Sequence, residues 1–178
     1  MSTETTSQAK RAVRESVLLN PAPPERVFPL LCPVREADWL PQWKYRLVYS
    51  QSGVAELGCV FTTPNEDGPE TTWIIMHHDP AKFEVAFAWV RPQMLAARLE
   101  IWLSPAGQGK TSARWRYTFT ALSPAGEREL EVMSAAWFEG RMRRLEKAMN
   151  HYLEHGAIAT GPEWESMALW RPKAEQRG

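Results

Sequence analysis

Two histidines near the end of a predicted helix have the spacing of a metal site. His151 and His155 stand four positions apart in the motif His-x-x-Glu-His, which places both imidazoles on one helix face. A third ligand would come from the segment that follows, where Glu163 and Glu165 are the nearest candidates. The helix dipole alone also favours histidine at such a position. We therefore interpret the motif as a helix end and predict neither a metal nor another cofactor.

A second pair of histidines lies in a predicted strand. Successive strand residues point to opposite faces, so His77 and His78 do not hold one ion together. His77 has the same parity as Trp73, which predicts that His77 points into the protein. There it could act as a general base, or it could serve only as a structural histidine. If the strand parity differs by one residue, Glu56 or Glu84 takes the inward position instead.

The two cysteines of the chain, Cys32 and Cys59, are too few for a disulfide framework or a metal cluster. A nucleophilic cysteine needs a base beside it or a helix N-terminus that lowers its pKa. Cys59 falls inside a predicted strand, and Cys32 falls at the end of a predicted short helix. We predict that neither thiol is catalytic.

Charged and aromatic residues are mixed in the segment that follows Cys32. Arg35, Glu36 and Asp38 stand beside Trp39 and Trp43. A guanidinium group binds a carboxylate through two parallel hydrogen bonds, so Arg35 is a candidate polar anchor for an acidic ligand. The alternative is a surface ion pair between Arg35 and one of the two neighbouring carboxylates.

The elements that position these side chains are mostly strands. In 94–104 and 112–121 apolar and polar residues alternate, which is typical of antiparallel strands with one face in water. Turns rich in proline and glycine separate the strands. A short helix over PPERVFPLLC, and a second short helix or loop over VREADWLPQW, follow the first strand. The predicted strands are 11–19, 44–50, 55–63, 71–78, 82–90, 94–104 and 112–121.

The last predicted element is one long helix from Ser123, the N-cap, to His155, with Gly156 as its stop. Acidic residues lie early in this helix and basic residues late, which complements the helix dipole. Apolar residues at spacings of three and four form one stripe that must face the sheet. The stripe consists of Ala135, Phe138, Met142, Leu145, Met149 and Tyr152.

The order strand, two short helices, six-strand meander and long helix resembles the START-like (SRPBCC) superfamily. The segments PAPPERVFPLLCPVREADWLPQW, YSQSGVAELGCVFTTP and FTALSPAGERELE are similar to a bacterial polyketide-cyclase-like subgroup of unassigned function. The resemblance implies an α+β helix-grip fold, in which a curved antiparallel sheet of about seven strands grips the long helix around an apolar cavity. The short helices would then lie by the cavity mouth. We expect a flexible N-terminus (1–10), one START-like domain (11–155) and a C-terminal tail (156–178).

An aromatic-rich interior is the feature of the sequence that bears most on function. Ligand pockets are mostly apolar and aromatic and contain a few polar anchors, although each aromatic residue taken singly is equally expected in a filled core. The chain has nine tryptophans, whose indole rings combine a large apolar face with one N–H donor. The predicted cavity residues are Trp39, Trp43, Trp73, His77, Phe87, Trp89, Trp115, Tyr117, Trp137, Phe138 and Met142, with Arg35 as the possible polar anchor.

Three functions follow from this interpretation. The first is a carrier or sensor that binds a small hydrophobic or aromatic molecule. The second is a cyclase or dehydratase, which requires a titratable group with a displaced pKa inside the cavity. The third is a protein-interaction module of the co-chaperone type, in which the tryptophan-bearing tail takes part. No nucleotide-binding motif is present, and no catalytic constellation is convincing, so we predict a binding protein rather than an enzyme.

Composition sets further limits. Lys plus Arg and Asp plus Glu number 21 each, and this balance argues against nucleic acid as a partner. The polar first residues do not form a signal peptide, and no apolar run is long enough to span a membrane. We therefore expect a cytoplasmic protein whose oligomeric state the sequence does not specify.

Overall fold

Seven strands form one antiparallel sheet in the order β1-β7-β6-β5-β4-β3-β2. The computed structural model describes residues 9–65 and 68–165. The strands are β1 (Arg11–Asn20), β2 (Arg46–Tyr49), β3 (Val60–Thr63), β4 (Thr71–Asp79), β5 (Glu84–Arg91), β6 (Leu95–Pro105) and β7 (Thr111–Ala121). The helices are α1 (Pro24–Val27), α2 (Pro33–Trp39), α3 (Pro124–Val132), α4 (Ala135–His155) and α5 (Pro162–Glu165), with a 3-10 turn at Phe28–Leu30. The predicted helix-grip α+β fold is confirmed.

Alternation along the central strands creates an apolar inner face and a polar outer face. In β6 and β7 the inward residues are buried, and the outward residues keep contact with water. The first strand closes the meander by pairing with the last, so that Arg11 lies opposite Thr120 and Asn20 lies opposite Thr111. The inner face of the sheet is covered by α4 and the short helices.

Side chains of α4 hydrogen-bond the backbone of β1, which is an edge strand of the sheet. The Leu19 amide donates to Glu146 Oε1 at 2.6 Å, and the Leu19 carbonyl accepts from Asn150 Nδ2 at 2.9 Å. Asn20 Nδ2 also donates to Asn150 Oδ1 at 2.7 Å. These bonds hold α4 against the C-terminal end of β1.

The predicted strand 55–63 is wrong in its first half, because only Val60–Thr63 joins the sheet. The preceding residues form a loop around the Glu56 carboxylate, which accepts hydrogen bonds from the backbone amides of Gln51 and Ser52 and from the Ser50 hydroxyl at 3.1 Å. A hydrogen bond from the Ser52 side chain, together with these bonds, holds the pKa of Glu56 below its usual value. A side chain that satisfies local backbone donors in this way competes with a strand ladder.

The predicted single helix from Ser123 to His155 is in fact two helices. Ser123 caps α3 by accepting from the Gly126 amide at 3.2 Å. Ser134 caps α4 by accepting from the Trp137 amide at 3.2 Å. An N-cap residue has non-helical backbone dihedrals, so the second cap interrupts the helix and lets α4 take its own direction across the sheet. Among the described residues, no helix is long and apolar enough to cross a membrane.

The close packing of α3 on the sheet depends on Gly126. A Cβ atom at this position would overlap the backbone carbonyl of Met94 and would also approach Ala121. Both neighbours are backbone atoms, so relief would require a movement of the β5–β6 turn or of α3 itself.

The Gly126→Ala substitution is expected to lower the free energy of unfolding by about 1–3 kcal/mol, because overpacking forces backbone shifts. Gly140→Ala is the matched control, since Gly140 lies inside α4 with no atom within 4 Å of a new Cβ. That change should stabilise the protein by about 0.5–1 kcal/mol through helix propensity. Urea unfolding of both variants measures the difference, and equal stabilisation by both would contradict the close approach at Gly126.

Candidate functional site

A continuous row of aromatic rings crosses the inner face of the sheet. Phe61 and Trp73 stack with their centroids 5.6 Å apart, and Trp73 lies 5.4 Å from Trp89. Trp89 meets Phe119 edge to face at 6.0 Å. Phe87 joins the row from the side, perpendicular to Trp73 at 6.3 Å. Such offset and edge-to-face pairs are the favoured aromatic geometries.

The aromatic row ends on the long helix. Phe119 stacks on Tyr117 at 5.5 Å, and Tyr117 meets Phe138 of α4 edge to face at 5.6 Å. Trp115, further along the same strand, is also buried. We use "aromatic row" for Phe61, Trp73, Trp89, Phe119, Tyr117 and Phe138.

Two indole donors of the interior have no acceptor among the described residues. The Nε1 atoms of Trp89 and Trp115 are both buried, and neither makes a hydrogen bond there. Most buried donors in folded proteins are satisfied by protein or by ordered water. The sheet therefore presents N–H groups that an oxygen atom of a water or a ligand would satisfy.

A group of polar side chains lies at the helix end of the aromatic row. Arg141 of α4 is 7% exposed and donates from a terminal guanidinium nitrogen to the Tyr117 hydroxyl at 3.4 Å. Its guanidinium carbon lies 5.2 Å from the centre of the Tyr117 ring. Glu36 of α2 interacts electrostatically with the same guanidinium. We call Glu36, Tyr117 and Arg141 the interior polar cluster.

Burial has the largest effect on the pKa values of Glu36 and Tyr117 in this cluster. It raises the pKa of Glu36 to about 8, against the opposing effect of the Arg141 charge. It also raises the pKa of Tyr117, again opposed by Arg141. Near neutral pH, Glu36 is therefore mostly a neutral carboxylic acid that can donate a hydrogen bond, as the Tyr117 hydroxyl also can.

Glu36 has a deeply placed carboxyl group on a residue that is not fully covered. Its carboxyl group is deep enough for burial to control its pKa, yet the residue retains accessible surface. Trp73 and Trp137 are likewise only half-buried, although they contact the buried interior. Glu36, Trp73 and Trp137 are therefore interior residues that keep some contact with solvent.

Sequence reasoning missed the interior polar cluster as a unit. It treated Glu36 as one of two possible surface partners of Arg35, and it counted Arg141 only among the late basic residues that complement the helix dipole. A usable signal was present, because Arg141 stands three residues after Phe138 and four before Leu145, within the apolar stripe. A charged residue on the buried face of an amphipathic helix is expected to have an interior partner.

The prediction that His77 points inward is wrong. A β-bulge at Met76 shifts the register, so that Ile75 pairs with Phe87 but His77 pairs with Ala86. The extra residue reverses the parity of the rest of the strand. His77 therefore lies on the outer face, half-exposed, with its Nε2 3.3 Å from Glu84 Oε2.

The same bulge turns His78 towards the interior. Its ring lies 5.4 Å from that of Phe28, and it pairs across the sheet with Val85, which is buried. Burial lowers the pKa of His78, and the neighbouring His77 lowers it further. His78 is therefore a neutral imidazole beside the short helices and lies apart from the aromatic row.

The predicted residues near the short helices make contacts within the protein, and the roles of Trp39 and Trp43 in a ligand site stay predictions. Trp39 is buried and donates from Nε1 to the Leu30 carbonyl at 3.0 Å. Trp43 is half-buried and donates to the Pro33 carbonyl at 2.8 Å. Arg35 forms an exposed ion pair with Asp38 at 2.5 Å, which was the alternative considered from the sequence. A role for Arg35 as a ligand anchor stays a prediction.

The three predicted helix residues occupy the N-terminal half of α4. Phe138 and Met142 are buried, whereas Trp137 is half-buried. Phe138 contacts the sheet through Tyr117. Their roles as walls of a ligand site stay predictions.

The other residues considered for chemistry from the sequence are not members of the aromatic row or of the interior polar cluster. Cys32 and Cys59 are buried free thiols, and burial raises the pKa of Cys59. His151 and His155 lie with their rings 4.5 Å apart at the end of α4. In the described part of the chain, no three His, Cys, Asp or Glu side chains are grouped to hold a metal ion.

A surface groove of about 520 Å³ lies between α4 and the segment leading into α5. Its wall contains His151, Asn150 and Trp164, and the Lys147 amino group lies 5.6 Å from the Trp164 ring. Trp164 is buried here, which shows that the first part of the tail packs on the helix. The tail tryptophan at position 170 lies outside the described residues. The groove contains no member of the aromatic row.

Comparison with family models gives one match over almost the whole sheet and helix. The model described as "Polyketide cyclase / dehydrase and lipid transport" matches residues 10–154. No curated protein matches the sequence significantly.

Several solved structures share the fold at low sequence identity. Norcoclaurine synthase from Thalictrum flavum, in complex with dopamine and hydroxybenzaldehyde, has a TM-score of 0.60 at 12% identity, over 83% of this chain and 90% of that one. The Zhui aromatase/cyclase from a Streptomyces species has a TM-score of 0.59 at 15% identity, over 84% and 100%. CalU16 from Micromonospora echinospora has a TM-score of 0.54 at 15% identity, over 89% and 90%.

Proposed function

Because the chain belongs to the polyketide cyclase/dehydrase and lipid transport family, we propose that its interior binds a small hydrophobic or aromatic molecule as a carrier or sensor. The observation that carries this proposal is the aromatic row with the deep but incompletely covered Glu36 at its end. Family membership agrees with the resemblance found in the sequence.

Stacking surfaces and unsatisfied donors support an aromatic ligand that contains oxygen. Trp73 and Trp89 offer ring faces for a planar guest. The buried N–H groups of Trp89 and Trp115 would be satisfied by ligand oxygens. The similarly folded norcoclaurine synthase was solved with dopamine and hydroxybenzaldehyde, both of which are aromatic.

We propose residues 11–155 as the ligand-binding unit and residues 156–178 as a tail outside it. The balanced charge of the chain supports a small molecule rather than nucleic acid as the partner. A cytoplasmic location and the oligomeric state remain predictions. Gel filtration and cell fractionation would test these two points.

The binding test uses the neutral fluorescent probe N-phenyl-1-naphthylamine. We expect saturable binding to the folded protein with quenching of tryptophan emission, because the probe would stack in the aromatic row. Ala97→Trp should block binding, since Ala97 lies on the inner face between Trp89 and Phe119. Ala96→Trp is the matched control, because Ala96 lies on the outer face of the same strand.

Binding that is absent from the wild-type protein would contradict the carrier proposal. So would binding that persists unchanged in a folded Ala97→Trp variant, because the probe would then lie outside the interior. Near-UV circular dichroism of both tryptophan variants establishes whether each retains native packing.

A cyclase or dehydratase activity is the second candidate, and the interior polar cluster is the observation that favours it. Glu36 is a titratable group with a displaced pKa inside the protein, which is what this function requires. In its ionised form, whose fraction grows as the pH rises towards about 8, Glu36 would take a proton from a carbon between two carbonyls. That carbon would attack a ketone of the same molecule, and the resulting alkoxide would recover the proton from Glu36 before water is lost.

Arg141 would stabilise the enolate oxygen during that reaction. The Glu36→Gln variant separates the two functions, since a cyclase would lose turnover of an added poly-β-ketone thioester while keeping probe binding. A carrier would show no turnover in either protein.

A further inference from the structure

We propose that the ligand of this interior carries an anionic oxygen, such as a carboxylate, a sulfonate or an ionised phenol, which binds between Arg141 and Tyr117. This inference rests on the proposed function, and it specifies the chemical class of the molecule that the interior binds. Its basis is the kind of polar atom that the interior presents.

The polar atoms at the end of the aromatic row are mainly hydrogen-bond donors. Arg141 has only donors, and it is held near the Tyr117 hydroxyl by the 3.4 Å contact and by the 5.2 Å approach to the ring. The buried indole N–H groups of Trp89 and Trp115 add two more donors on the same sheet face. A ligand complementary to this set must supply acceptors, and an anionic oxygen supplies the strongest.

The position of the positive charge makes this recognition effective. Arg141 is buried, so water screens its field less than it screens the exposed arginines of the same helix. The hydrogen bond to the Tyr117 hydroxyl and the approach to its ring orient the guanidinium in advance, which reduces the conformational entropy lost when a ligand binds. The ring faces of the aromatic row are apolar and would take the hydrocarbon part of the ligand.

Glu36 makes this binding dependent on pH. The groups that face it are Arg141 from α4 and Tyr117 from β7. On its own helix, Arg35 is paired with Asp38 and lies 3.5 Å from the Tyr152 hydroxyl. A neutral Glu36 adds a donor for the ligand, whereas its carboxylate form repels the anion and competes for Arg141. Binding of an anion should therefore weaken as the pH rises through about 8.

The test compares two probes with the same ring system. Anilinonaphthalene-8-sulfonate carries a sulfonate that stays ionised at every pH used, and N-phenyl-1-naphthylamine is its neutral counterpart. At pH about 7 we expect the sulfonate probe to bind the wild-type protein roughly tenfold more tightly, as a charge-assisted hydrogen bond predicts. In Arg141→Met this preference should disappear, because the sulfonate loses its charged partner.

Three further variants show where the sulfonate binds. Arg143→Met removes an exposed charge from the same helix and should leave the preference intact. Tyr117→Phe keeps the ring but removes the hydroxyl that contacts Arg141, so it should reduce the preference several-fold even if Arg141→Met does not fold. In Glu36→Gln the preference should persist up to pH about 9, whereas in the wild-type protein it should fall.

The outcomes separate this inference from the proposed function. If the neutral probe binds and the sulfonate gives no preference, the anionic-oxygen inference is wrong and the carrier proposal stands. A preference that is lost in Arg143→Met but kept in Tyr117→Phe and Arg141→Met would place the anion on the surface and also overturn the inference. If neither probe binds, the proposed function itself fails.

Discussion

At pH about 9, the Glu36→Gln variant is expected to be more stable than the wild-type protein by roughly 5 kcal/mol. The folded protein raises the pKa of Glu36 from 4.5 to about 8 because the carboxyl group is buried. Each pH unit within that window corresponds to about 1.4 kcal/mol. Glutamine has a similar shape and cannot ionise, so it avoids the cost of burying a carboxylate.

The difference between the two proteins should disappear at low pH. A raised folded-state pKa contributes stability that is fully present below pH 4.5 and is lost as the pH rises through about 8. Urea unfolding at several pH values between 4 and 9 measures the curve. Glu25→Gln, at an exposed position of α1, is the matched control and should leave the pH dependence unchanged. A constant difference between the wild-type protein and Glu36→Gln at every pH would show that Glu36 is not buried.

Leu145→Ala is expected to reduce the free energy of unfolding by about 2–5 kcal/mol. Leu145 is 3% exposed in the middle of α4, and removing its side chain loses apolar burial and leaves a cavity. The affinity of the remaining folded protein for N-phenyl-1-naphthylamine should not change, because we place Leu145 in the packed part of the core. Val132→Ala, at a half-exposed position of α3, is the control and should cost much less. Urea unfolding and probe titration measure the two effects.

Met142→Ala distinguishes a ligand wall from a plain core. Met142 is also buried, but we propose that it borders the ligand space together with Phe138. Its truncation should enlarge that space and increase the affinity for a larger probe, at a lower cost in stability than Leu145→Ala. Flexible methionine suits a surface that adapts to varied guests. Equal destabilisation by both variants, without a change in probe binding, would mean that this face of α4 packs on the sheet as ordinary core and does not line a ligand site.

Features that depend on local periodicity could be predicted from the sequence. The alternation around Leu99 and Tyr117 identified β6 and β7 and their inner faces, because a buried face imposes a period of two. Proline and glycine marked the turns, and Ser123 marked the start of the helical region. The aromatic residues placed inside the sheet followed from the same alternation.

Features that depend on a single competing interaction could not be predicted from the sequence. The bulge at Met76 reverses the parity of β4 without any glycine or proline to signal it, which exchanges the places of His77 and His78. Ser134 separates the two helices because its hydroxyl accepts a hydrogen bond from the Trp137 amide and so caps α4. The interior polar cluster joins α2, β7 and α4, so its assembly depends on tertiary packing that no local pattern contains.

The pairing of the first strand with the last determines when this fold can form during synthesis. Arg116 contacts Glu15 across 101 positions of the chain, and Glu146 reaches Leu19 across 127. A ribosome that adds about 5–20 residues per second leaves β1 without its neighbour for on the order of 5–20 s. Contacts this distant in sequence also give a high contact order and slow folding. During this interval the nascent chain exposes the unpaired backbone of β1 and the side chain of Leu18, which is 2% exposed in the folded protein, so this is when the protein most needs a chaperone.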